Sequence, residues 1–331
     1  MSITIKDVAK EAGVSVATVS RVLNGSCNVS DESTKKVNET IARLNYSPNF
    51  LGRNLRKCET NVILVIMPTS EHSLYSKIVM GMQEYAGKVG YDIITAVSYS
   101  TSTAETRQMN MLFNRTVDGV ILLGTQYDAD SLNKLAENYN VALCCEGVEG
   151  ANVLTVAVDD EQAAFDAVAA LIKKGHKRIG FIGTNSAAIS STARENGYIR
   201  ALKEYGIEIK NEYIYKESYD YDCGGRAFEY FNALDEKPTA IFAVSDLLAI
   251  SAMHKAIDMD IDVGKDVAIM GFDNISMCEW IIPTLSTVEQ PCSKMGELVV
   301  AKLIENMNKT IKDNHYYTVD HRIILRESTG D

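Results

Sequence analysis

The chain has 331 residues, of which 46% are hydrophobic and 23% charged, a composition typical of globular proteins with several compact domains. No run approaches the roughly 18 apolar residues of a membrane-spanning helix, and no signal peptide is recognisable, so we expect a cytoplasmic protein without a membrane partner. The net charge of −11 is divided unevenly: residues 1–60 hold nine Lys or Arg against six Asp or Glu, and the remainder holds 24 against 38. A basic N-terminal region on an acidic body is typical of a protein that contacts nucleic acid through that region alone.

The first predicted elements are two short helices in the stretch IKDVAKEAGVSVATVSRVLNG, residues 5–25. Each carries an apolar stripe at helical spacing, formed by Val8, Ala9 and Ala12 and by Val19, Val22 and Leu23. Thr4 and Ser15 are placed to cap the two helices, and Gly13 between them can take a positive φ. The spacing indicates a helix-turn-helix, whose second helix enters a DNA major groove. A generic pair of packed helices inside a larger fold is the alternative.

The outward face of the second helix carries side chains suited to base contacts. Arg21 can bond guanine through two hydrogen bonds, Thr18 and Ser20 can bond base edges or phosphates, and Val16 and Ala17 can contact thymine methyl groups.

A third helix is predicted after Ser30, with Val37, Ile41 and Leu44 on one face. The stretch YSPNFLGRNLRK then predicts a helix of about nine residues, which is too short to be stable alone in water. In this segment Leu55 is flanked by basic residues, a pattern that suits insertion of an apolar side chain into a minor-groove base step. A flexible basic linker is the alternative.

From Asn61 onward the sequence predicts two α/β subdomains. The β-rich runs VILVIMP, YDIITAVS, DGVILLGT and VALCCEG alternate with helical segments, and the series begins again with RIGFIGT, AIFAVSD and VAIMGFD. Ligands of such parallel sheets bind at the carboxyl ends of strands. Polar residues follow the predicted strands at these ends: Thr69, Ser70, Ser245, Asp246 and Asp273.

An enzyme is the main alternative for an α/β body of this kind. The chain has no GxGxxG at a strand-to-helix turn, no GxxxxGK[ST] and no GxSxG. We interpret His176 as a helix C-terminal residue, and the seven cysteines as reduced thiols, with Cys144 and Cys145 on a buried strand. The sequence therefore predicts no enzymatic activity, no metal site and no cofactor.

The N-terminal stretch TIKDVAKEAGVSVATVSRVLNG and the following VSDESTKKVNETIARLNYSPN resemble the DNA-binding headpiece of the LacI/GalR family of bacterial transcription regulators. The body segments RENGYIRAL, KPTAIFAVSD, DVAIMGFDN and PTLSTVEQP resemble successive segments of the same family. The resemblance implies an N-terminal all-α helix-turn-helix headpiece plus hinge helix (1–57) and an α/β periplasmic-binding-protein-like body of two doubly wound subdomains (61–331). Their expected limits are about 61–158 plus 290–320 for the N-subdomain and about 159–289 plus 321–331 for the C-subdomain. Gly52 departs from the family's common hinge alanine.

The resemblance also implies two sets of binding residues. The expected DNA-binding residues are Thr4, Lys6, Ser15, Val16, Ala17, Thr18, Ser20, Arg21, Asn24, Asn28, Ser30, Tyr46, Asn49, Leu55 and Arg56. The expected effector-binding residues are Thr69, Tyr75, Glu146, Arg194, Tyr219, Asp246 and Asp273. Alternatives remain for two kinds of residue in the second set: the aspartates can cap helices, and Tyr75 can pack in a dimer interface.

The implied function is that of a transcription regulator, mainly a repressor, of carbon and sugar metabolism genes. The expected partners are a double-stranded, near-palindromic DNA operator, a second copy of the chain and a small-molecule effector, a sugar or sugar phosphate. Several segments resemble the catabolite control branch, which also binds the phosphocarrier HPr phosphorylated on serine. Ala301 and Glu305 stand where that branch has basic residues for the phosphate. A global carbon catabolite regulator and a local sugar-responsive operon repressor both remain open, as does a sugar-binding module without DNA function.

Overall fold

The computed structural model describes residues 3–23, 29–46, 59–185, 188–309 and 314–331. The chain forms two compact units, Met1–Glu59 and Thr60–Asp331, which we call the headpiece and the body. Most of the predicted hinge helix falls outside the described residues. No helix in the described part of the chain combines the length and the apolar character needed to cross a bilayer.

The headpiece contains the three predicted helices: α1 (Ile5–Ala12), α2 (Val16–Leu23) and α3 (Asp31–Leu44). Their predicted start signals are confirmed. The Thr4 backbone N–H donates to Asp7 at 2.8 Å, and the Ser15 and Ser30 hydroxyls accept from backbone N–H groups three residues later. Gly13 ends α1 with φ 67°. The two predicted apolar stripes pack with α3 around four buried side chains: Val8, Ala9, Val19 and Val37.

The first sheet of the body is parallel throughout and has the strand order β11-β5-β4-β3-β1-β2. Its strands are β1 (Val62–Met67), β2 (Asp92–Val97), β3 (Gly119–Leu122), β4 (Val141–Cys144), β5 (Leu154–Ala157) and β11 (Tyr316–Thr318). The helices of this subdomain are α4 (Ser73–Val89), α5 (Ser102–Phe113), α6 (Ala129–Asn138) and α11 (Cys292–Met307). Buried runs such as β1 and β4 have apolar side chains on both faces because helices cover both sides.

The second sheet has the order β12-β10-β9-β8-β6-β7 and is parallel except for β12. Its strands are β6 (Ile179–Thr184), β7 (Ile214–Glu217), β8 (Ala240–Ala243), β9 (Ala268–Asp273), β10 (Ser286–Glu289) and β12 (Arg322–Ile324). The helices are α7 (Asp160–Lys173), α8 (Ile189–Glu204), α9 (Tyr221–Asn232) and α10 (Asp246–Asp258). The chain passes between the two sheets three times, after β5, β10 and β11, so both subdomains are built from separated segments.

One prediction about an individual residue was wrong, and another was right about position alone. Cys144 ends β4, but Cys145 follows it with φ 76° and lines a cavity instead of continuing the buried strand. His176 lies at the C-terminus of α7, as predicted: its backbone N–H donates to the Leu171 carbonyl at 3.3 Å, and its Nδ1 is 3.0 Å from the Thr239 hydroxyl. Burial, together with the charge of Lys174, lowers the pKa of His176, so the dipole of α7 does not dominate its titration.

Candidate DNA-binding face and effector cavity

Helix α2 presents an exposed face in the headpiece. Val16, Ala17 and Arg21 are exposed, and Val16 retains 40% of its surface. Thr18 and Ser20 are half-buried, and the Thr18 hydroxyl lies 2.9 Å from that of Ser15. Arg21 forms no salt bridge within the described part of the chain. The second helix of the helix-turn-helix therefore presents two small apolar side chains and one guanidinium to a partner.

The other DNA-binding candidates differ in their surroundings. Thr4, Lys6, Ser15 and Ser30 are exposed near the helix starts, where Ser30 also caps α3. Tyr46 is half-buried and packs against the headpiece core. Five candidates lie outside the described residues: Asn24, Asn28, Asn49, Leu55 and Arg56.

A cavity of about 780 Å³ lies in the body at the carboxyl ends of strands from both sheets. Thr69 and Glu146 approach it from the first sheet, and Thr184 and Asp273 from the second. This position agrees with the rule that ligands of parallel sheets bind at the carboxyl ends of the strands. Six of the seven effector candidates meet here: Thr69, Tyr75, Glu146, Arg194, Tyr219 and Asp273.

Arg194 on α8 is the most heavily bonded cation of the cavity. Its Nε donates to Asp160 at 2.8 Å, its Nη1 donates to the Val244 carbonyl at 2.6 Å, and its guanidinium lies 3.7 Å from the Phe272 ring centroid. Burial opposes its charge, but Asp160 and Asp273 outweigh that cost and raise its pKa above the ordinary value. The guanidinium is therefore charged, fixed in orientation and largely neutralised by the protein itself.

Asp273 at the end of β9 lies at the centre of the polar wall. Its carboxylate accepts from Gln290 Nε2 at 2.6 Å and is 3.7 Å from both Arg194 Nη1 and His72 Nε2. The residue has φ 115°, a conformation that costs free energy for a side chain other than glycine. Such strain at a cavity wall is typical of ligand-binding positions.

His72 connects the two subdomains across the cavity. Its Nδ1 accepts from the Leu74 backbone N–H at the start of α4, which assigns the ring hydrogen to Nε2. That nitrogen lies 3.2 Å from the Tyr219 hydroxyl of the other subdomain. A second link is the Lys77 ammonium, which donates to the Asn274 carbonyl at 2.7 Å. These bonds hold the start of α4 to the segments that follow β7 and β9.

Aromatic rings form another part of the wall. Tyr75, Tyr127 and Tyr219 line the cavity together with the His72 imidazole. Burial, with the nearby Glu146 and Asp273 carboxylates, raises the pKa of Tyr75. A neutral phenol that can donate and a set of ring faces suit a polyhydroxylated ligand, whose hydroxyl groups need polar partners and whose C–H faces stack on rings.

Asp246 does not line the cavity. It is fully buried as the first residue of α10, while Ser245 supplies the helix cap. Its carboxylate accepts from the Thr287 hydroxyl and, at 2.8 Å, from the Ile275 backbone N–H. Burial and the neighbouring Asp273 carboxylate raise the pKa of Asp246 to about 7. Asp246 thus supports the segment that follows Asp273. Asp246 does not cap α10 either, because Ser245 does so.

Sequence reasoning missed three residues that complete the site: His72, Asp160 and Gln290. Asp160 lies in the first turn of a predicted helix, where an acid is expected for the helix dipole alone. Gln290 follows β10, and His72 precedes α4 in an unusual capping role. No local pattern indicates that these side chains point at Arg194 or Asp273.

The exposed helix-turn-helix and the cavity between two α/β subdomains are the features of a DNA-binding transcription regulator. Residues 4–49 match the model of the bacterial regulatory proteins of the lacI family, and residues 168–329 match the periplasmic binding protein-like domain. The chain is 38% identical over 331 residues to catabolite control protein A of Priestia megaterium, with 99% of this chain and 100% of that protein covered. It is 32% identical over 329 residues to the HTH-type transcriptional repressor CytR of Escherichia coli (strain K12), with 98% and 96% covered.

A solved complex of the transcriptional regulator CelR with cellobiose matches the structure with a TM-score of 0.74 and 26% identity, over 98% of this chain and 99% of that one. The chain belongs to the lacI family of bacterial regulatory proteins. The predicted family and fold class are confirmed, and the protein is a DNA-binding transcription regulator of the repressor type and not an enzyme.

Proposed function

We propose that the protein represses genes of carbon and sugar metabolism by binding a near-palindromic operator as a homodimer under the control of a small-molecule effector. The exposed face of α2 carries this proposal, because it offers Arg21 and small apolar side chains from a basic headpiece. The cavity supports the effector part. The candidate residues for both sites are those assigned above, with Asp246 as a supporting residue.

Replacing Arg21 with alanine is expected to weaken operator binding by about 1 to 3 kcal/mol, since one two-bond contact to a guanine is lost. The measurement is a titration against an operator selected from genomic fragments and against random DNA, at matched salt. Lys36→Ala is the control, because Lys36 lies on α3 and pairs with Glu32 at 2.8 Å. An equal loss on random DNA would contradict a base contact by Arg21.

The homodimer is proposed to form through an exposed apolar surface of the body, made of Met277, Trp280 and Ile282. Trp280 is 75% and Ile282 86% exposed, an unusual exposure for large apolar side chains so close in sequence. Two copies that bury this surface bring two headpieces to one palindromic site.

Trp280→Ser is expected to shift the protein toward monomers and to weaken operator binding by tenfold or more, because each headpiece then binds one half-site alone. Sedimentation velocity measures the oligomeric state, and a binding titration measures the second effect. Tyr99→Ser is the matched control, since Tyr99 is 74% exposed elsewhere on the body. An unchanged dimer in Trp280→Ser would place the interface elsewhere.

Effector control is proposed to act through the angle between the subdomains. The bonds from His72 and Lys77 to the opposite subdomain support this proposal, because a change of that angle would break them. An effector that contacts both subdomains favours one arrangement and so alters pairing of the hinge segments, which include Leu55. An effector that weakens operator binding must itself bind the operator complex less tightly.

A role in global carbon catabolite control is supported by the full-length similarity to catabolite control protein A. The alternative, a local sugar-responsive repressor, is favoured by α11, where Ala301 is small and Lys302 pairs with Glu305 at 2.9 Å. The acidic Glu305 would repel a phosphoserine. Genomic fragments selected by the purified protein, with and without serine-phosphorylated HPr, separate the two roles. Many dispersed sites strengthened by HPr indicate global control, and one site indifferent to HPr indicates local control.

A further inference from the structure

Helix α8 begins at the cavity without a side-chain cap of its own. Its N-cap residue is Ala188, whose backbone carbonyl accepts from the Thr192 N–H but whose methyl side chain cannot accept a hydrogen bond. Residues 188–191 nevertheless line the cavity, so this helix terminus faces the space in which an effector would bind. Exposed N–H groups and the helix dipole make such a terminus attractive to phosphate and other anions.

Glu146 already occupies this position. It follows β4 in the other subdomain, and its Oε1 accepts from both the backbone N–H and the hydroxyl of Ser190 at 3.3 Å. The carboxylate thus caps α8 from across the cavity. A ligand phosphate could reach these N–H groups only by displacing a negative charge that belongs to the protein.

The remaining charges of the cavity offer an anion no compensation. Among the described residues that line it, Asp128, Glu146 and Asp273 are acidic, and Arg194 is the one lysine or arginine. The Arg194 guanidinium is engaged by the buried Asp160 carboxylate at 2.8 Å and by the Val244 carbonyl at 2.6 Å. A phosphate that approached Arg194 would also approach Asp273, 3.7 Å from the same guanidinium.

We propose that Glu146 is an anion-excluding specificity residue, so that the effector carries no phosphate or carboxylate group. This deepens the proposed function and rests on the cavity being the effector site. Of the two expected ligand classes, sugars and sugar phosphates, the cavity then admits the first. Carboxylates such as Glu146 and Asp273 accept hydrogen bonds from sugar hydroxyl groups, which donate well to them.

Removing Glu146 should convert the start of α8 into an anion site. Isothermal titration of the full-length protein with inorganic phosphate and with glucose 6-phosphate is expected to give no saturable binding to the wild type at millimolar concentration. Glu146→Ser should give saturable binding of both compounds, at least about tenfold tighter than any residual wild-type binding, because a repelling charge is gone and the Ser190 N–H is released from the carboxylate. Added phosphate should slow amide hydrogen exchange at residues 189–192 in Glu146→Ser and should leave it unchanged in the wild type.

Two further variants make the experiment decisive. Glu146→Gln keeps an acceptor for Ser190 and loses only the charge, so it should fold as the wild type does and gain a smaller phosphate affinity. Glu149→Ser removes an exposed acid three residues away, outside the cavity, and should leave phosphate binding at the wild-type level. Equal phosphate binding by the wild type and Glu146→Ser, or none by either Glu146 variant, would overturn the proposal.

These experiments distinguish failure of the anion-exclusion proposal from failure of the proposed function. If the Glu146 variants gain phosphate binding but no neutral sugar in a screen changes operator affinity, the anion exclusion stands and effector control by sugars fails. If a neutral sugar releases the operator but neither Glu146 variant gains phosphate affinity, effector control stands and Glu146 has no excluding role.

Discussion

Arg194→Ala is expected to destabilise the body by about 3 to 5 kcal/mol and to abolish the response of operator binding to effector. The loss of stability follows because the substitution leaves the buried Asp160 carboxylate and the Val244 carbonyl without the donor they now have. The loss of response follows because Arg194 lines the cavity and its charge lies 3.7 Å from the Asp273 carboxylate. Chemical denaturation measures the first effect, and operator titrations with a sugar that releases the wild type measure the second.

A paired variant separates these two effects of Arg194. Arg194→Met combined with Asp160→Asn removes both charges of the 2.8 Å ion pair, and Asp273 keeps its hydrogen bond from Gln290, so part of the stability should return while the effector response stays absent. Lys302→Met is a matched control, because Lys302 forms an ion pair with Glu305 on α11, outside the cavity lining. A normal effector response in the paired variant would show that Arg194 is a structural residue without a part in sensing.

Asp246→Asn is expected to make the body more stable at pH 8 and to remove part of its pH dependence. The folded-state pKa of about 7 lies above the ordinary value of 3.8. Between about pH 4 and pH 7 the folded state keeps a proton that the unfolded state has lost, so the free energy of unfolding falls as pH rises through this window. The asparagine has no charge to bury, and its advantage at pH 8 should exceed about 1.4 kcal/mol, the equivalent of one pKa unit.

Urea denaturation of the wild type and Asp246→Asn at several pH values between 4 and 8 measures this effect. The difference between the two proteins should be smallest near pH 4, where the Asp246 carboxyl is protonated in the folded state and only partly ionised in the unfolded state, and it should grow toward pH 8. Asp258→Asn, at the exposed end of the same helix, should follow the wild type at every pH. Parallel curves for the wild type and Asp246→Asn would mean that Asp246 is ionised throughout and its hydrogen bonds offset its burial.

Local sequence signals predicted the headpiece helices and the strand ends well. The stripes of Val8 and Val19 predict buried faces because helical periodicity repeats every 3.6 residues, and Ser15 and Ser30 cap helices through bonds to residues three positions away. Polar residues after apolar runs, such as Thr69 and Asp273, indicated the cavity edge. In each case the partners lie within one turn or one strand, where spacing in the sequence determines spacing in the fold.

The tertiary structure decided which side chains face the cavity and what holds them. Asp246 and Asp273 both follow predicted strands, yet one carboxylate supports a buried loop and the other lines the cavity. Arg194 pairs with Asp160, 34 residues earlier, and Glu146 caps a helix that begins 43 residues later in the other subdomain. These pairings arise because the chain passes three times between two sheets and brings separated strand and helix ends together. Sequence alone thus determined the elements and the family of the protein, while crossovers and burial determined the charge balance of its cavity, since both depend on contacts between distant residues.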